Sequence, residues 1–278
     1  MRLNITTLSE NTASRPRLLA EWGLSILLET DTINILFDTG QSISASHNAD
    51  ILEIDLTTID KIVLSHSHGD HTGGLREILL KMKKDVEVIA HPHIWAKYIL
   101  REGGEARYGG IAFQREELEN LGARFNLSSK PVKITDNIMT TGEVPMVTDF
   151  EQVDSRMFIK EGDDFKPDPL LDDQALIINT ELGLVVILGC AHRGIINTLY
   201  HAQQLTGVKQ IYMVIGGCHL SRSTMERIRL TMAALKELGV SRIGVSHCTG
   251  LPAAAVMAQE FGDSFFFNNA GTKTELLL

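Results

Sequence analysis

The chain has 278 residues, 44% of them apolar and 22% charged, and a formal net charge of −9. That balance excludes a disordered chain, a collagen-like repeat and a small cysteine scaffold. An acidic chain is also a poor general binder of phosphate backbones, so no nucleic-acid partner is expected.

At the start of the chain, Met1-Arg2-Leu3-Asn4-Ile5-Thr6-Thr7 lacks the apolar stretch of a secretory signal. No apolar run reaches the ~18 residues of a membrane span. A cytoplasmic protein with no membrane partner is therefore expected. Leu24–Glu29 and Ile33–Phe37 are β-rich and flank Thr30-Asp31-Thr32, which predicts a hairpin ending at Asp38-Thr39-Gly40. A helix is expected around Ser46–Leu52. Lys61-Ile62-Val63-Leu64 reads as a buried strand running into Ser65-His66-Ser67-His68-Gly69-Asp70-His71-Thr72-Gly73-Gly74. A helix starting near Gly74 carries Leu75, Ile78, Leu79 and Met82 at helical spacing. A short strand, Val86–Ala90, then ends at His91-Pro92-His93.

The second half repeats this plan. Ala175–Asn179 and Leu184–Leu188 predict a hairpin around Glu181-Leu182-Gly183, ending at Gly189-Cys190-Ala191-His192. A helix through Ile195–Gln204 follows, then a buried strand, Gln210–Ile215, ending at Gly216-Gly217-Cys218-His219. A helix near Thr224–Leu238 precedes the strand Arg242–Val245, which ends at Ser246-His247-Cys248-Thr249-Gly250. The order hairpin, helix, strand thus occurs twice, which suggests two similar layers in a single domain of residues 1–278. The halves are expected at about 1–139 and 174–278. Between them, residues 140–173 hold ten acidic and three basic residues and read as a long loop, either a lid or a solvated acidic stretch.

His66-Ser67-His68-Gly69-Asp70-His71 is the strongest chemical signal. Just past a buried strand, His66 and His68 point the same way in extended chain and can share one metal. Asp70 and His71 are adjacent, point differently and can reach a second. Gly69 permits a tight turn, and Gly73-Gly74 gives room for close approach. Imidazole and carboxylate suit Zn, Fe or Mn. The three cysteines are an odd number, against a disulfide framework, and each lies within two residues of a histidine: Cys190 with His192, Cys218 with His219, Cys248 with His247. Three such pairs at equivalent strand ends suggest one shared rim. Asp38, at a strand end, is expected either to orient a ligand imidazole or to cap its own loop.

These motifs, with Gly23-Leu24-Ser25 and Phe37-Asp38-Thr39-Gly40-Gln41, resemble the metallo-β-lactamase superfamily over nearly the whole chain. They are similar to a branch of metal-dependent hydrolases that includes a dihydropterin-ribofuranosyl-aminobenzene phosphate synthase. The resemblance implies an α/β fold, a four-layer αβ/βα sandwich with pseudo-duplicated halves. It implies one or two divalent cations, zinc foremost with Mn or Fe as alternatives. His66 and His68 are expected on the first metal, and Asp70, His71 and His247 on the second. The superfamily's loop histidine and bridging aspartate are missing here: Leu171-Asp172-Asp173-Gln174 and Gly189-Cys190-Ala191-His192 stand in their places. The closing ligand is therefore expected at His192, with Asp173 and Cys190 as alternatives. The expected activity is a metal-dependent hydrolase that uses a metal-bound hydroxide on a small-molecule substrate. Asp70 and His219 are the expected catalytic residues, the latter as proton donor or substrate contact. Two alternatives are kept. One is a dihydropterin-diphosphate-using synthase with Arg193 and Arg222 as phosphate contacts. The other is a metal-binding protein without turnover.

Overall fold

Both expected hairpins form, and each lies inside a larger sheet. The computed structural model describes residues 2–96 and 98–277. The chain folds as two compact units: Met1–Ser129 with Asp154–Asp172 and Asn269–Leu277, and Lys130–Val153 with Asp173–Asn268.

The first unit is built on a seven-stranded sheet. Its spatial order is Lys273–Leu277, Arg2–Ser9, Ser25–Thr30, Asn34–Phe37, Lys61–Val63, Val86–Ala90 and Ala123–Leu127. Pairing is antiparallel as far as Asn34–Phe37 and parallel from there on. Thr30 turns the first hairpin: its backbone N–H donates to Ile33 O and its Oγ1 accepts from Ile33 N. Leu27, Leu36, Ile62 and Val88 from the strands pack with Ala45, Leu75, Ile78 and Leu79 from the helices Ser44–Ile51 and Leu75–Met82. The stripe expected on the second of these helices is the one that is buried. Each such side chain contributes ~2 kcal/mol of burial, so a charge at Ile78 would break this face.

The same unit carries a four-stranded antiparallel sheet, ordered Asp164–Pro167, Met157–Glu161, Tyr98–Glu102, Glu105–Tyr108. It corrects the reading of residues 140–173 as a loop. Two strands lie in that stretch, turning at Glu161-Gly162-Asp163-Asp164 with Gly162 at φ 61°. Their short apolar run, Met157-Phe158-Ile159, is flanked by charge and shows no period. Its order comes from the ladder to Tyr98–Leu100, far away in sequence.

The second unit has a six-stranded sheet: Ile138–Thr140, Ala175–Thr180, Gly183–Leu188, Ile211–Gly217, Arg242–Ser246 and Phe265–Phe267. The hairpin is again antiparallel, and the next three strands are again parallel. Helices Ile195–Thr206, Met225–Glu237 and Leu251–Phe261 supply Ile196, Leu199, Ile228, Met232, Leu235 and Met257 to its core. The internal duplication expected from the sequence is thus present in strand order and direction. No helix among the described residues is long and apolar enough to cross a membrane.

Candidate metal-binding site

In the first unit the histidine motif leaves the strand Lys61–Val63 and closes into one helical turn, Gly69–Thr72, with His68 at its N-cap. His66, His68 and His71 are buried, and Asp70 is half-buried. The ring of His66 lies 4.4 Å from that of His68 and 4.2 Å from that of His71, centroid to centroid. The imidazoles therefore cluster.

Hydrogen bonding decides which nitrogen the His66 and His71 rings offer. Asp38, buried and at φ 59°, accepts from the backbone N–H of Ser65 at 2.7 Å and from Ser65 Oγ at 2.7 Å. Because Ser65 Oγ–H is given to Asp38, the same oxygen must accept from His66 Nδ1, 2.7 Å away. A carboxylate can only accept, so His71 Nδ1 donates to Asp38 Oδ2, also at 2.7 Å. One carboxylate thereby sets both rings as Nδ1–H tautomers. Their lone pairs sit on Nε2, the atom a cation would take. Of the two roles expected for Asp38, orienting imidazole is the one its contacts display.

The backbone of the motif is held from several sides. Thr39 N and Oγ1 donate to His71 O. Cβ atoms at Gly73 and Gly74 would lie 2.0 Å from Gln41 O and Thr39 O, so only glycine admits this approach. Tyr98, from the four-stranded sheet, lays its ring 3.8 Å from that of His68. Gly109 leaves room for that ring and accepts from Gly69 N at 2.7 Å. Asp172 accepts from Ser67 N at 2.8 Å. Ser65, Tyr98 and Asp172 were not singled out from the sequence. Ser65 had a signal, a hydroxyl beside the first histidine, whereas Tyr98 and Asp172 had none.

In the second unit the donors come from three strand ends. Cys190 and His192 follow Gly183–Leu188, His219 follows Ile211–Gly217, and His247 and Cys248 follow Arg242–Ser246. Ligand atoms of Cys190, His192 and His219 lie within 4.8 Å of one another, as do those of Cys190, His247 and Cys248. The rings of His192 and His219 are 4.2 Å apart. Ala191, His219 and His247 all hold positive φ, 49°, 48° and 51°. Non-glycine residues seldom adopt this conformation, and its concentration at these three turns marks stored strain. Burial pushes the Cys218 thiol up to about 12. Cys248 falls well below the ordinary thiol range: burial opposes this, but bonding with Cys190 and His219 and the adjacent His247 outweigh it.

Asp173 is buried, and its Oδ2 accepts from Arg193 N at 2.9 Å. Burial pushes it up to about 6, against the backbone N–H groups of Arg193 and His192. Its Oδ1 is buried without a hydrogen-bond partner among the described residues. Asp173 belongs to none of the donor clusters among those residues, whereas His192 belongs to one within this unit. His91 Nδ1 accepts from His93 N at 3.1 Å. His47 and His201 bond to backbone carbonyls of Arg17 and Thr141. The chemistry of both donor sets fits a divalent transition metal: imidazoles with a carboxylate in the first unit, imidazoles with thiols in the second.

The model of the metallo-beta-lactamase superfamily matches residues 23–203. Over 97% of its length the chain is 34% identical to a protein of Methanocaldococcus jannaschii, covering 95% of that relative. The relative is named 7,8-dihydropterin-6-methyl-4-(beta-D-ribofuranosyl)-aminobenzene-5'-phosphate synthase. A crystal structure described as Tm1679, a metal-dependent hydrolase of the beta-lactamase superfamily, superposes with a TM-score of 0.85 at 29% identity, covering 99% of both chains. Zinc-bound PqqB from Methylobacterium extorquens shares the fold at a TM-score of 0.58 and 12% identity, over 98% of this chain and 100% of that one.

Proposed function

This chain belongs to the metallo-beta-lactamase superfamily, and we propose that it is a metal-dependent synthase acting on a dihydropterin substrate. The observation that carries this reading is the 34% identity, sustained over 97% of the chain, with a dihydropterin-ribofuranosyl-aminobenzene phosphate synthase. The resemblance alone ranked hydrolysis first, and this relative moves the balance towards group transfer. We assign metal-ligand roles to His66, His68, Asp70 and His71 in the first unit, and to His192 and His247 in the second. When bound, a pair of divalent cations would stabilise charge on an oxygen-rich leaving group.

The remaining work falls to the chain. Asp38 and Ser65 hold His66 and His71 in one tautomer, so donor geometry is set before substrate arrives. In the transfer, the arylamine nitrogen forms a bond to the pterin methylene carbon while the bond from that carbon to diphosphate breaks. The amine then loses one proton. His219, half-buried beside His192, is assigned to take that proton at a ring nitrogen. Arg193, whose Nε donates to Val144 O, and Arg222 are assigned to phosphate oxygens. The substrate is a small molecule in this reading, and the compartment is the cytoplasm.

The test is to supply a dihydropterin diphosphate with and without 4-(β-D-ribofuranosyl)aminobenzene 5'-phosphate and to follow diphosphate release. Release that requires the amine supports the synthase. Release at the same rate without it replaces the synthase with a hydrolase, the second reading, which the likeness to a metal-dependent hydrolase favours.

A further inference from the structure

Both donor clusters of the second unit share one atom. Cys190 Sγ lies within 4.8 Å of the ligand atoms of His192 and His219, and equally of His247 and Cys248. The other two thiols have different surroundings. Cys248 Sγ accepts the backbone N–H of His219 at 3.3 Å and reaches Cys190 O at 3.6 Å. It fills the space that a Cβ on Gly217 would occupy, 2.5 Å away. Cys218 Sγ sits 4.0 Å from Gly216 O and enters no donor cluster among the described residues. Asp173, the acidic alternative for this part of the chain, bonds the backbone of the 192–193 turn and enters none either.

Cys190 is also placed by rigid parts. It stands one residue, Gly189, beyond the buried strand Gly183–Leu188, and Ala191, at φ 49°, turns the chain so that His192 joins the same cluster. The Gly217 N–H donates to Gly189 O at 3.1 Å, tying two of the strand ends together. A small side chain packed at a turn requires none of this convergence of imidazoles upon its sulfur.

We propose that Cys190 is a metal ligand, its thiolate joining His192 on a cation. The resident metal is then a thiophilic one, zinc or ferrous iron, and not magnesium or manganese, because thiolate selects soft and borderline ions. The proposal rests on the metal-dependent reading above and adds its sulfur donor.

The experiment is reconstitution of the full chain with cobalt(II), followed by near-ultraviolet absorption and metal analysis. Wild-type protein is expected to show a sulfur-to-cobalt charge-transfer band. Cys190→Ser loses the band, and Cys218→Ser keeps it. Cys190→Asp retains cobalt through its carboxylate but shows no band, which guards against a variant that merely misfolds. A wild type that binds cobalt without the band overturns the proposal and leaves the metal reading standing. So does a band that survives Cys190→Ser and disappears in Cys248→Ser. Failure of wild type to take up any cobalt overturns the metal reading itself, and the proposal with it.

Discussion

The two units have the same strand plan but different chemical layouts. In each, an antiparallel hairpin is followed by three parallel strands, and loops at the strand ends carry the donors. The first unit gathers imidazole and carboxylate into one loop of six residues, His66 to Asp70 and His71, and steadies it with buried carboxylates, Asp38 towards the rings and Asp172 on the Ser67 N–H. The second unit spreads imidazole and thiol over three loops and steadies them with backbone in the left-handed region. One architecture therefore supports two ways of preorganising a site. Hydrogen bonds fix side chains in the first, and turn geometry fixes them in the second.

The strongest attempt to break this contrast is Asp70→Asn, which keeps shape and removes charge. Wild-type protein prepared without chelator should carry about one to two metal ions per chain. The variant should lose about one of them and its turnover, with its far-ultraviolet dichroism unchanged. Wild-type turnover in this variant would remove Asp70 from the mechanism. In the second unit, His219→Gln should reduce turnover by roughly 10²–10⁴-fold, the range for a lost general acid or base, with metal content unchanged. A loss of metal instead would make His219 a ligand.

Asp38→Asn probes the bracing of the first unit. Its amide can turn an N–H towards His71 Nδ1 and unsettle the tautomer, so metal affinity should fall roughly 10–100-fold, as for other outer partners of ligand imidazoles. Chelator competition would measure it. Tyr98→Leu removes the ring against His68, a contact worth about 0.5–1.5 kcal/mol. A severalfold weaker metal affinity, with turnover per bound metal preserved, is the expected result.

The smallest effect concerns Glu151, which accepts from Ile196 N and Asn197 N at the start of a helix in the second unit. Burial raises this carboxyl above its ordinary 4.5, and the helix N–H groups recover only part of the shift. An acid with a raised folded pKa holds its proton longer in the native state. Its stabilisation is full below pH 4.5 and is lost as pH rises through the folded value. Glu151→Gln should therefore flatten the decline of stability above pH 4.5, measured as denaturant midpoints across pH. An unchanged slope would show that the helix contacts offset the burial completely.

Legibility in the sequence followed contiguity. The six-residue motif was readable because its donors are neighbours along the chain, and the helix stripe at Leu75, Ile78, Leu79 and Met82 because periodicity is local. The acidic stretch misled. Glu151, Asp172 and Asp173 look like solvated charge, yet each is buried and accepts backbone N–H groups. Arg2–Ser9 and Lys273–Leu277 escaped notice for a related reason: each finds its ladder partner at the opposite end of the chain.

The sequence by itself determined the superfamily, the duplicated strand plan and the first unit's ligand candidates. Each of these is written in short-range spacing, where a strand end, a glycine and a histidine stand within a few residues. Tertiary structure alone decided which nitrogen His66 and His71 present, that Tyr98 lies against His68, and that Cys190 rather than Asp173 joins the imidazoles of the second unit. Those outcomes depend on partners tens of residues away. A hydrogen bond or ring contact is a matter of ångströms in space, and position along the chain does not encode it.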